Sequence, residues 1–133
     1  MSRLLRIVAA LLLLAISAVH LNLYWSQTYN RIPTVGWLFL LTGISGVLLA
    51  IAEVVRPSWM VDVSAFGFAA GVLGGYLLTL WLPNGLFKFK EPGVSTSGVI
   101  AIIVEVGVML VAGFSAMRNI NGLRTAKPQL TGA

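Results

Sequence analysis

The chain has 133 residues, of which 58% are hydrophobic and only 10% are charged, and its formal net charge is +5 at pH 7. About a quarter of the residues of a soluble domain are charged, so this chain is too apolar for a water-facing surface, and we expect the lipid bilayer to be its solvent. The absence of cysteine excludes disulfides, thiolate metal sites and a cysteine nucleophile. The basic residues are scattered at the ends of apolar runs, which favours orientation in an anionic membrane over nucleic-acid binding.

Four apolar runs follow one another along the chain, at residues 7–25, 35–55, 60–82 and 97–117. Each is close to the roughly 20 residues that a helix needs to cross the hydrocarbon core of a bilayer. Prolines fall between the runs, where breaks in the chain belong. The sequence therefore predicts an all-α membrane protein with a single domain over residues 1–133, a bundle of four transmembrane helices with a polar tail over residues 118–133.

The first run also allows a second interpretation, a cleaved signal peptide. Arg3 and Arg6 precede the run, and the small residues at 15 and 17 fit a small-x-small cleavage site. The apolar run continues past that site to Trp25, which favours an uncleaved first helix.

The basic residues predict which side of the membrane each end of a helix occupies. Six of them would share one side, namely Arg3, Arg6, Arg56, Arg118, Arg124 and Lys127. The opposite side holds three, Arg31, Lys88 and Lys90, partly offset by Glu91. This asymmetry predicts that both termini are cytoplasmic.

Tryptophans flank the predicted spans, as expected of interfacial anchors. In this orientation, Trp25, Trp37 and Trp81 lie at the outer interface and Trp59 at the inner one.

A polar stripe crosses the outer end of the first helix. Its members recur at helical spacing, and they are Ser17, His20, Tyr24 and Gln27. We expect His20 and Tyr24 to form the floor of a shallow outward-facing pocket, with residues 85–91 of the second outer loop as its lid. The alternative is an interfacial His20 that is hydrogen-bonded to a loop carbonyl.

Glu105 lies about 12 Å into the fourth helix, given the helical rise per residue. An ionised carboxylate near mid-membrane is costly unless it is paired, hydrated or neutral. We expect Glu105 to form the acidic wall of the pocket and to contact His20, which would spare both groups an unpaired burial. The alternative is a protonated Glu105 that is hydrogen-bonded to a neighbouring helix.

Two further acidic residues lie near the cytoplasmic side. Glu53 precedes Arg56 by three residues, a spacing that predicts an ion pair on one helix surface. Asp62 falls in the first turn of the third helix, where the helix dipole favours a carboxylate, so we expect a capping role.

Glycines recur at intervals of four in the third run, at Gly67, Gly71 and Gly75. Such overlapping GxxxG patterns allow two helix backbones to approach closely. We expect this face to pack within the bundle; the alternative is a homodimer seam or a groove for a protein partner.

The usual catalytic arrangements are missing from the sequence. One histidine without cysteine cannot supply the common zinc ligand sets, and two-histidine haem ligation would need a dimer. No phosphate-binding glycine loop is present, and continuous spans argue against a transporter with broken helices. We therefore expect no catalytic residue and no metal-ligand set, and we assign no cofactor.

Three elements resemble a family of small four-span membrane proteins of high-GC Gram-positive (actinobacterial) bacteria: H-L-x-L-Y, Y-x-x-I-P-x-x-G and G-L-F-x-F-x-E. The matching residues are His20, Tyr24, Tyr29, Ile32, Pro33, Gly36, Gly85, Leu86, Phe87, Phe89 and Glu91. This chain has Lys88 where a small residue is more usual. The resemblance implies the four-span architecture and a bacterial plasma membrane location, and it implies no activity.

Together, these features predict a non-enzymatic accessory or assembly subunit that binds a protein partner, or a second copy, through the glycine face of the third helix. The first alternative is an outward-facing ligand-binding or redox-linked module, in which His20 and Glu105 bind a quinone, a haem or a metal ion. The second alternative is a small transporter component.

Overall fold

The computed structural model describes residues 3–26 and 29–125, and within them the chain folds into four long helices. These are α1 (Arg3–Ser26), α2 (Val35–Val55), α3 (Trp59–Trp81) and α4 (Thr96–Thr125), with a short 3₁₀ helix at Tyr29–Arg31 between α1 and α2. All four are long and apolar enough to cross a membrane. The chain is a multi-pass membrane protein, as its composition predicts.

Helix α4 continues to Thr125 instead of ending near Met117, so the first part of the predicted tail is helical. Hydropathy marks only the end of the apolar run, whereas a helix can continue through polar residues, and no proline lies between Met117 and Thr125. Gln27 of the polar stripe, Lys127 and the rest of the tail lie outside the described residues, as does the side chain of Arg124.

Local capping sets the start of two helices. The Ser58 hydroxyl accepts a hydrogen bond from the Val61 amide at 3.3 Å at the beginning of α3. At the beginning of α4, the Ser95 hydroxyl accepts one from the Gly98 amide at 3.1 Å. Only residues 56–58 connect α2 to α3, whereas the connection between α3 and α4, residues 82–95, is long enough to fold over the bundle.

The helices pack as two hairpins. Helix α1 packs mainly against α2, and α3 mainly against α4; α1 and α4 join the two hairpins, while α2 and α3 have few contacts. The core lies in the half of the bundle nearer the turn between α2 and α3 and consists largely of small residues: Ala10, Leu13, Ile16, Ala50, Ala65, Ala69, Val108 and Ala112. In the other half, α2 and α3 leave a cleft between them.

The close approach of two helices occurs at glycines of α2, not at those of α3. A Cβ added to Gly46 would meet the Ser17 hydroxyl and, at 3.1 Å, the Leu13 carbonyl oxygen of α1. A Cβ added to Gly67 or Gly71 would meet no atom within 4 Å. The expectation that the α3 glycines pack within the bundle is therefore wrong, because they border the cleft instead.

Two polar contacts bridge the helices near the turn between α2 and α3, and both correct a prediction. Glu53 is fully buried and pairs with Arg6 of α1 at 3.7 Å instead of with Arg56, which is exposed. Asp62 is also fully buried. Its carboxylate binds side chains of α4 instead of capping α3: Oδ2 accepts hydrogen bonds from Ser115 at 2.7 Å and from Asn119 at 3.0 Å.

The four tryptophans lie close to helix ends with their side chains exposed, namely Trp25, Trp37, Trp59 and Trp81. These positions are compatible with interfacial anchoring, which stays a prediction.

Candidate functional site: a cleft between the second and third helices

A cavity of about 400 Å³ lies between α2 and α3. Residues of α1 and α4 form its back wall, and the loop after α3 covers one end. Leu41 of α2 and Gly71 of α3 border the cavity and are themselves exposed. The cleft is therefore open between α2 and α3, along helix surfaces that are apolar.

Glu105 lies in the back wall, only 1% exposed, and neither of its carboxyl oxygens has a hydrogen-bond partner among the described residues. Burying a polar group without a partner costs on the order of 1–3 kcal/mol, and more when it is charged. The expected contact with His20 is not formed, and neither is a hydrogen bond to a neighbouring helix. Glu105 is therefore a buried carboxyl group whose oxygens can still form hydrogen bonds with a ligand.

His20 also lines the cavity and is 8% exposed. Its Nδ1 lies 2.8 Å from the carbonyl oxygen of Ile16, one turn earlier in α1. Because a carbonyl oxygen only accepts, Nδ1 carries the hydrogen, which leaves Nε2 of the neutral ring as an acceptor. The ring is packed against Phe39, with centroids 5.2 Å apart. His20 thus bonds a carbonyl of its own helix instead of the predicted Glu105 or loop carbonyl.

Tyr24 does not line the cavity, so its predicted place in the floor is wrong. Its ring contacts Trp25 edge-on at 5.4 Å and borders a separate pocket of about 190 Å³ beside the loop between α1 and α2. On a helix, residues three and four positions after His20 lie on opposite sides of it. The cleft is on the side of Leu23, which takes the place predicted for Tyr24.

Four residues of the predicted lid, residues 85–91, line the cleft, namely Leu86, Phe87, Phe89 and Glu91. Leu86 and Phe89 exchange two backbone hydrogen bonds, of 2.8 and 2.9 Å, around a tight turn. Phe87 and Lys88 in that turn have φ angles of 51° and 62°, which non-glycine residues rarely adopt. Gly85 is required where it lies, because its φ is 66° and a Cβ would collide with the Phe89 carbonyl.

This covering loop, called the lid below, is fastened at several points. The Lys90 ammonium donates to the Leu80 and Leu82 carbonyl oxygens at 3.0 and 2.8 Å, at the end of α3. The Glu91 amide donates to the Thr79 carbonyl at 3.1 Å. The Tyr29 hydroxyl donates to Glu91 Oε1 at 2.6 Å, and burial together with this hydrogen bond raises the pKa of Tyr29. The lid is therefore held to both α3 and the loop between α1 and α2.

Six aromatic side chains line the cleft: Tyr29, Phe39, Phe68, Tyr76, Phe87 and Phe89. The sequence patterns did not mark most of these rings as site residues. Phe68 and Tyr76 recur at helical spacing with Gly71 and Gly75 between them, so a stripe of aromatic and small residues on one face of α3 was the available signal.

Among the described residues, no group of three or more His, Asp or Glu side chains is placed to hold a metal ion. No family model, curated protein or solved structure matches the chain.

Proposed function

We propose that this chain is a non-enzymatic membrane protein that binds a lipid-soluble ligand in the cleft between α2 and α3. The observation that carries the proposal is Glu105, a buried carboxyl group at the back of an apolar cavity that has no partner among the described residues. Ligand sites are mostly apolar cavities of about 300–1,000 Å³ with a few polar groups that orient the ligand. Glu105 and Nε2 of His20 supply such groups.

The route of entry supports a ligand dissolved in the bilayer. The cleft opens between two apolar helices, and the exposed side chains of Leu38 and Leu41 lie beside its mouth. A molecule in the hydrocarbon can enter sideways, while the lid restricts entry from the aqueous side. A metal ion is a poorer candidate, since His20 and Glu105 are too few ligands for the usual sites.

The proposal includes a bacterial plasma membrane location with both termini in the cytoplasm. The excess of basic residues at the ends near the termini supports this orientation. The resemblance to four-span proteins of high-GC Gram-positive bacteria favours the location. In this orientation the lid lies at the outer surface.

Native mass spectrometry of the protein, purified in a mild detergent from membranes, tests the proposal. Wild type should retain a small lipid-soluble molecule, and Gly71→Leu should lose it, because the new side chain occupies the cleft. Gly93→Leu makes the same change in the loop, at a position that does not line the cleft, and should keep the molecule. Identical adducts on all three proteins would overturn the proposal.

A second candidate is the accessory subunit, whose partner would insert a helix at the same face. The open space at Gly67 and Gly71 favours it, since small residues admit a neighbouring backbone. In the same experiment, a stoichiometric second polypeptide, or a second copy of this chain, that is lost in Gly71→Leu and retained in Gly93→Leu would support this candidate over a ligand.

A further inference from the structure

Building on the proposed function, we propose that the ligand is a lipophilic organic cation, an ammonium group attached to an apolar body. The first support is the sign of the charge in the cleft. Glu105 and Glu91 are both among the lining residues, which include no lysine and no arginine. A cavity with acidic groups and without basic ones is complementary to a positive ligand.

The basic residues nearest the cleft along the chain are directed elsewhere. The Lys90 ammonium is held by the carbonyl oxygens of Leu80 and Leu82. Arg31 borders the separate pocket beside the loop between α1 and α2, and Lys88 of the lid is exposed and does not line the cleft. No basic side chain therefore compensates Glu105, whose oxygens have no partner among the described residues.

The second support is the aromatic lining, because a ring face attracts a cation, and aromatic cages are the usual sites for quaternary ammonium groups. Phe39 is central to this lining: it stacks on Tyr29 with centroids 4.7 Å apart and contacts the His20 ring. The Phe89 ring meets Tyr29 edge-on at 5.7 Å. These contacts hold the rings in place before a ligand arrives.

The two carboxyl groups have different roles. Glu91 already accepts the Tyr29 hydroxyl, and its residue belongs to the lid. Glu105 is the free group, in the part of the cleft where a charge gains most from a partner of opposite sign. We therefore assign the ammonium group to Glu105 and the ring faces of the cleft, and its apolar body to the apolar mouth between α2 and α3.

A pair of probes with the same shape separates charge from hydrophobicity. Benzyltrimethylammonium and neopentylbenzene differ in having a quaternary nitrogen or a quaternary carbon. Radiolabelled forms of both are titrated onto the protein in nanodiscs of phosphatidylcholine, with empty nanodiscs subtracted, because a zwitterionic bilayer does not concentrate cations at its surface. We expect saturable binding of the cation, roughly tenfold or more tighter than binding of the neutral probe.

Variants of the two acidic residues then locate the charge. Glu105→Gln should weaken binding of the cation roughly tenfold or more and leave binding of the neutral probe unchanged, since it removes the charge and little volume. Glu105→Asp should keep the preference for the cation. Glu91→Gln is the matched control in the lid and should have the smaller effect.

Equal binding of the two probes, unaffected by Glu105→Gln, would overturn the inference and leave the cleft as an apolar ligand site. A larger loss in Glu91→Gln than in Glu105→Gln would overturn the assignment to Glu105. If neither probe showed saturable binding, the inference that the ligand is an organic cation would also be overturned. In that case, loss of a retained molecule in Gly71→Leu would still support the proposed function.

Discussion

Tyr29 connects the loop between α1 and α2 to the lid. Its hydroxyl donates to Glu91 in the lid, while its ring is stacked on Phe39 of α2 and meets Phe89 of the lid. The phenol thus joins the first loop, α2 and the lid at one point. Because the lid turn contains Phe87 and Lys88 with positive φ angles, its conformation depends on such outside contacts.

The substitution Tyr29→Phe should loosen the lid. It removes the hydrogen bond to Glu91 and keeps the ring, at a cost of about 1 kcal/mol, so backbone amides of residues 85–91 should exchange roughly fivefold faster. Hydrogen–deuterium exchange followed by mass spectrometry measures this. Tyr24→Phe is the control, because Tyr24 borders a different pocket and should not alter exchange in the lid. Equal exchange in wild type and Tyr29→Phe would show that the lid does not need this bond.

At the scale of the helix pair, two sets of glycines have opposite environments. Gly46 lies against the backbone and Ser17 of α1, so it sets the distance between α1 and α2. Gly71 borders open space in the cleft. The same residue type therefore allows close packing in one hairpin and leaves room between the two hairpins.

The matched pair Gly46→Ala and Gly71→Ala tests this difference. The first should lower the free energy of unfolding by about 1–3 kcal/mol, because the new methyl group overpacks the interface between α1 and α2. The second should cost nothing and can gain a few tenths of a kcal/mol from helix propensity. Reversible unfolding in mixed detergent micelles, followed by circular dichroism, measures both. A large loss in Gly71→Ala would instead reveal a partner packed against α3.

At the scale of the whole molecule, the two ends of the bundle differ. One end contains the interhelical contacts of Arg6 with Glu53 and of Asp62 with Ser115, next to a core of small residues. The other end contains the cleft and its lid. Each of these two contacts joins the two helices of one hairpin, while packing of α1 against α4 joins the hairpins to each other.

The orientation of this molecule in the membrane is tested with single cysteines, which are unique because the chain has none. Cysteines in place of Ser26 and Val94 should react with an impermeant maleimide in intact cells. A cysteine in place of Thr125 should react only after the cells are opened, because the basic residues near the termini favour the cytoplasm. The reverse labelling would mean that the lid faces the cytoplasm.

The sequence by itself determined the four helices and the place of the long loop, because the length of an apolar run is a local property that the bilayer thickness sets. It also singled out His20, Glu105 and the lid, because polar groups and loop residues stand out against aliphatic spans. None of these inferences required knowledge of which helices are neighbours.

Only the tertiary structure decided which face of each helix meets which neighbour. A soluble helix marks its buried face by polarity, but in a membrane the lipid-facing and buried faces are both apolar, so periodicity does not orient the helix. For this reason the sequence predicts Tyr24 in the cleft where the structure has Leu23, and it predicts that Glu53 pairs with Arg56 where the structure has Arg6. It likewise predicts packing at Gly71, where the structure has open space. The rotation of each helix and its choice of neighbours arise from packing between segments that are distant in sequence. The sequence of one span alone does not contain this information.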